Sequence, residues 1–190
     1  AISTLKKVNN FEPGFNETDF LLGKSLLKIN QYNDALPFLQ NAVKIDPKHA
    51  QAQYFLGLSL IKIEKIKEAL KPLKMAVESQ PEFSKAFNQL GKTYTILGNY
   101  PEAIKAFKSA IQIDPRFTIA FNGLGKIYTF QKDYLKAIDY FKKALRTDPE
   151  FENGLLNIGM VYEILGRFQE AIKTYKKLLE LNPSHTDAMF

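Results

Sequence analysis

Prolines at one fixed period constrain this chain more than any other feature. Pro13, Pro47, Pro81, Pro115, Pro149 and Pro183 stand 34 residues apart. A period of this length marks an array of like units, each too small to bury its apolar face except against its neighbours. Gly23, Gly57, Gly91, Gly125 and Gly159 keep the same period, and so do Ala35, Ala69, Ala103, Ala137 and Ala171. Each unit carries two apolar stripes at helical spacing, as in Ala103, Ile104, Phe107, Ala110 and Ile111. Small residues inside such stripes let the two helices of a hairpin approach closely. Short breaks such as Leu97-Gly98-Asn99-Tyr100 and Leu165-Gly166-Arg167-Phe168 separate the two helices. The periodic proline, with an acidic or polar neighbour, closes each unit as a turn. Pro37 and Pro72 fall further inside their helices and predict a slight bend there.

The motif Phe87-x-x-Leu90-Gly91-x-x-Tyr94 recurs as Phe121-x-x-Leu124-Gly125-x-x-Tyr128 and, more loosely, as Leu155-x-x-Ile158-Gly159-x-x-Tyr162. Ala103-x-x-x-Phe107, Ala137-x-x-x-Phe141 or Ala171-x-x-x-Tyr175 follows, and then proline. This pattern resembles the tetratricopeptide repeat. The first two units depart from it. Asp19 and Gln53 replace the first aromatic, and Leu26 and Leu60 replace the tyrosine, which reads as packing variation. The resemblance implies an all-α fold, a right-handed superhelical solenoid of antiparallel helix pairs. It is read here as one domain with five full units at 16–49, 50–83, 84–117, 118–151 and 152–185. Helix A covers about the first 14 positions of a unit and helix B roughly the 18th to the 31st. Residues 1–15 read as the second helix of a truncated repeat and 186–190 as the start of a further helix. The chain is therefore expected to belong to a longer array, and its apolar last helix predicts end-to-end self-association.

In the family, A helices line a concave groove. The positions this implies for the groove include Lys24 in the first unit and Tyr54 in the second. The third contributes Lys85, Asn88 and Lys92, the fourth Asn122 and Lys126, and the fifth Asn157 and Met160. Asn88 and Asn122 lie one unit apart, with Asn157 one residue beyond the next equivalent place. An amide both donates and accepts, so stacked asparagines suit the backbone of an extended peptide. Lys24, Lys92 and Lys126 share a phase and, with Lys85, favour acidic segments. Phe20, Tyr54 and Phe55 offer an apolar anchor patch. The clamp that some family members use for a chaperone carboxylate is not matched, because Gln89 stands where an arginine would partner Lys85.

Composition excludes several chemistries. Without cysteine there is no disulfide, thiolate metal site or cysteine nucleophile. The net charge is +6, carried almost wholly by lysine. Arg116, Arg146 and Arg167 are the only arginines, which speaks against nucleic acid as a partner. No stretch reaches the ~20 apolar residues of a membrane span. His49 and His185 lie four repeats apart, so they cannot form a dyad or share a metal. No nucleophile, base and orienting group come together, and no cofactor is expected. The expectation is a non-catalytic scaffold that binds an extended peptide or protein segment. The alternative is the substrate-recognition arm of a larger enzyme such as a glycosyltransferase. Compartment is left open, with cytoplasm as the default.

Overall fold

The computed structural model describes residues 16–185. The segments read as a truncated second helix (1–15) and a further first helix (186–190) lie outside the described residues. Ten α-helices and no strand occur among the described residues. They are α1 (Asn16–Lys28), α2 (Tyr32–Ile45), α3 (Ala50–Lys62), α4 (Leu70–Ser79) and α5 (Ser84–Ile96), then α6 (Tyr100–Ile113), α7 (Thr118–Phe130), α8 (Tyr134–Thr147), α9 (Glu152–Ile164) and α10 (Phe168–Leu181). Odd-numbered helices are the A helices and even-numbered ones the B helices. Above the level of the 34-residue repeats the chain divides into two compact units, the first unit ending at Asn99 and the second beginning at Tyr100. The division falls between the two helices of the middle repeat.

The hairpins within each compact unit close on one fit. A Cβ placed on Gly23 or Gly57 would overlap the side chain of Leu39 or Leu73 on the following B helix. Gly125 and Gly159 meet the rings of Phe141 and Tyr175 in the same way. The periodic alanines, Ala35 to Ala171, are all buried. In the second unit Ala137, Ile138, Phe141, Leu155, Ile158, Tyr162, Tyr175 and Leu178 merge into one cluster. The last two repeats therefore share a core, as stacked repeats of a solenoid do.

The turns are as periodic as the core. Asn30, Glu64, Gly98, Lys132 and Gly166 are the five positive-φ residues among those described, and they stand 34 apart. After each, the next residue donates its N–H back five residues, to Leu26, Leu60, Tyr94, Tyr128 or Tyr162, at 2.8–3.0 Å. This is the Schellman ending of a helix, with a left-handed residue satisfying orphan carbonyls. At the other end of the repeat the residue before the periodic proline folds over it. Asp46, Asp114 and Asp148 accept from the N–H two residues on at 3.0–3.1 Å, and Asn182 does so at 3.3 Å.

Two details differ from the sequence expectation. B helices start at the 17th position, one residue earlier than expected, except α4. That helix begins at Leu70, because Pro72 has no N–H to offer the carbonyl four residues before it. Residues 66–69 form turns instead. Pro72 thus stands in the first turn, where the missing donor costs little, whereas α2 runs on through Pro37.

Only two of the five left-handed positions are glycine. Glu64 and Lys132 carry the side-chain penalty of the left-handed region, which glycine lacks. Lys132→Gly is expected to raise the unfolding free energy by about 1 kcal/mol and Gly98→Ala to lower it by a similar amount. Urea denaturation checks both.

Candidate functional site

The candidate site residues lie on A helices, at the phase left over once the signature positions have turned to the core. In the second unit they converge. Asn122 and Lys126 are four apart on α7, with Thr129 completing the stripe. Asn157, Met160 and Ile164 form the matching stripe on α9. Asn157 Nδ2 donates to Asn122 Oδ1 at 2.9 Å, tying neighbouring A helices together. A pocket of about 110 Å³ opens beside this bond. Lys126, Thr129, Asn157, Met160 and Ile164 surround it, over a floor of Phe141 and Val161. Lys126 is exposed, and Met160 and Ile164 are 48% and 56% exposed. Lys126 takes part in none of the ion pairs found among the described residues.

Asn122 itself is buried. Its carbonyl oxygen, expected to grip a peptide, is engaged by Asn157 instead. The cause is register. Asn157 sits one position beyond Asn122's own phase and so reaches the fifth-position side chain of the preceding repeat. Asn157 keeps one amide hydrogen and its carbonyl oxygen outside this bond.

In the first unit, Asn88 on α5 is also buried, and its Oδ1 has no hydrogen-bond partner among the described residues. Lys85 and Lys92 on the same helix are exposed. Lys24 and Tyr54 belong to an aromatic ladder. Phe20 packs on His49 and Phe55, Phe55 on Tyr54, and Tyr54 on Phe83, with centroid distances of 4.6–6.0 Å. Lys24 Nζ lies 5.4 Å from the Phe20 ring and 5.7 Å from that of Phe55, a cation–π contact. Phe20 is buried, so it belongs to the packing between repeats and leaves the expected anchor patch. Tyr54 and Phe55 stay half-buried at its edge. Burial pushes the Tyr54 hydroxyl pKa up.

The histidines are local. His49 Nδ1 caps α3 by accepting from Ala52 N at 3.3 Å, and His185 lies in the loop after α10. Among the described residues no three His, Cys, Asp or Glu side chains come together as a metal site. No helix there is long and apolar enough to cross a membrane. Sequence reasoning missed Thr129 and Ile164. Their signal was the seven-residue spacing from Asn122 and Asn157, which puts them two turns along the same helix face.

The sequence profile of the tetratricopeptide repeat matches residues 84–117, 118–151 and 153–185, more than half of the chain. The chain belongs to the tetratricopeptide-repeat family. Residues 1–76 match the profile described as anaphase-promoting complex, cyclosome, subunit 3. No curated protein matches the chain significantly. Among solved structures it is similar to YrrB, described as a tetratricopeptide-repeat protein with an unusual peptide-binding site. That match has 21% identity and a TM-score of 0.77, and covers 99% of this chain and 97% of the other. MamA matches at 26% identity and a TM-score of 0.78, covering 85% and 95%. PilF of Pseudomonas aeruginosa matches at 21% and 0.81, covering 91% and 79%. At 21% the likeness is one of fold. Members of this family are protein-interaction scaffolds.

Asn122→Ala strips Asn157 of its acceptor and is expected to cost about 1 kcal/mol of stability in urea denaturation. A buried tyrosine whose folded pKa is raised stabilises fully below its unfolded value. That stability is lost as pH rises toward the folded value. The ordinary value of a tyrosine hydroxyl is about 10. Stability should therefore fall as pH climbs above that point, and Tyr54→Phe should make the fall shallower, as measured by denaturation at pH 9 and pH 11.

Proposed function

We propose that this protein is a non-catalytic scaffold that binds an extended peptide or protein segment along its A helices, with acidic segments favoured. The observation that carries this reading is the pocket between α7 and α9. Three groups that a peptide needs meet there: a cation at Lys126, a half-used amide at Asn157 and an apolar wall of Met160 and Ile164. The amide engages the peptide backbone, the wall takes a side chain, and the lysine attracts a carboxylate. Asn122 acts through Asn157, as a positioning residue. In the first unit Lys85, Lys92, Lys24 and the edge of Tyr54 provide charge and contact. A peptide-binding site in YrrB, a protein of like fold, supports the reading without locating the site here.

Affinity capture from the source lysate tests it. The chain should retain a partner that a Lys126→Glu/Asn157→Ala variant of unchanged helical content loses. Equal capture by both would move the binding surface off α7 and α9.

A further inference from the structure

A second concavity lies in the first unit, on the B-helix side, between α2 and α4. Its volume is about 350 Å³. Val43, Leu56, Pro72 and Met75 form its floor and walls, and Lys44 and Lys71 stand at its rim. Its origin lies in the repeat. Gln53, the fourth residue of its repeat, occupies the position held by Phe87, Phe121 and Leu155 in later repeats. Leu155 is buried among Ala137, Ile138 and Phe141, with Leu145 packed on the same cluster. The equivalents of Leu155 and Leu145 here are Gln53 and Val43. Gln53 turns back instead, and its Nε2 donates to the Pro47 carbonyl at 2.9 Å. A polar side chain recruited by the turn has vacated the place of a ring or branched chain, and the shorter Val43 does not fill it.

We propose that this groove docks an acidic peptide segment that presents one aromatic side chain. The space left lies where the signature aromatic would stand, and its lining is mainly apolar, with Gln40 and Gln53 as the polar members beside the two lysines. A cavity of ~150 Å³ holds a benzene ring. The groove therefore has room for a phenyl or indole group and part of a neighbouring residue. Buried aromatic anchors are the usual centres of binding energy at such surfaces. Lys44 and Lys71 are both exposed, and neither takes part in the ion pairs among the described residues. Two cations flanking an apolar slot complement carboxylates on either side of the ring. The site is separate from the α7–α9 pocket and does not depend on it.

The methionines make the two sites separately observable. Met75 lines the groove, Met160 lines the α7–α9 pocket, and Met189 is the third methionine in the chain. The experiment is a nuclear magnetic resonance titration of methyl-labelled methionines in the whole chain. The probe is a short capped serine–glycine peptide with one tryptophan between two aspartates. Controls carry alanine for the tryptophan, or lysines for the aspartates. The Met75 methyl signal is expected to move saturably with the probe and not with the alanine control. The lysine control should bind about tenfold more weakly, a 1.4 kcal/mol difference. Gln53→Phe, which restores the signature ring, should abolish the shift in a chain that still folds. Lys44→Glu/Lys71→Glu, at two exposed sites, should weaken the probe by a similar factor. The proposal is overturned if Met75 stays silent, whether or not Met160 moves. It is also overturned if the Met75 shift survives in Gln53→Phe. Movement of Met160 alone would leave the scaffold reading standing.

Discussion

A single steric fit, glycine on helix A against a large side chain on helix B, recurs in both compact units and organises each of them. Packed helices normally lie 8–10 Å apart, at a distance set by the side chains between them. A glycine at the eighth position of helix A removes one of those side chains, and a leucine or an aromatic ring takes its place. Interiors are close-packed, so any larger residue there must push the B helix away or leave the preferred rotamers. The buried alanines and the shared core of the second unit depend on that close approach. So does the spacing that brings Asn157 to Asn122.

The fit comes in two styles. In the first two repeats the glycine meets Leu39 or Leu73, and the eleventh position is Leu26 or Leu60. In the second unit the partners are Phe141 and Tyr175, with Tyr128 and Tyr162 at the eleventh position. The aliphatic repeats are also those in which polar residues replace the first aromatic. Both replacements are buried, and both are hydrogen-bonded: Asp19 accepts from Asn41 of α2, and Gln53 donates to the Pro47 carbonyl. An unpaired buried polar group would be costly, so each had to find a partner. The partner Gln53 found lies in the turn, which pulls it out of the apolar layer. One substitution thus exchanges packing for a concave surface. Residues 84–185 keep the aromatic style and carry the match to the repeat profile.

The site shows how packing and recognition compete for the same helices. Positions expected to face a ligand are partly consumed by contacts between repeats. Phe20 is spent on the aromatic ladder, and Asn122 on holding Asn157. Lys126, Met160, Ile164 and the free half of Asn157 remain, because they lie nearer the C-terminal ends of α7 and α9 or on the outer side of the asparagine bond. Solenoids present binding surface in this way: whatever the stacking of repeats leaves uncovered is what a partner meets.

The sequence by itself determined the repeat length, the helix pairs, the family and the phase of each helix face. Those follow from local rules, namely small residues at fixed intervals, turn residues at fixed intervals and apolar stripes of helical period, and a 34-residue repeat states each rule several times. It also marked Asp19 and Gln53 as departures from the pattern. The tertiary structure decided what those departures and the groove residues do. Which amide oxygen is occupied, which lysine lies over a ring, and whether a missing aromatic leaves a cavity all depend on contacts between neighbouring repeats. Those contacts join side chains some 34 residues apart along the chain, and their geometry is set by packing rather than by any local preference. Asn88 and Asn122 are identical in phase, yet only Asn122 has its acceptor filled.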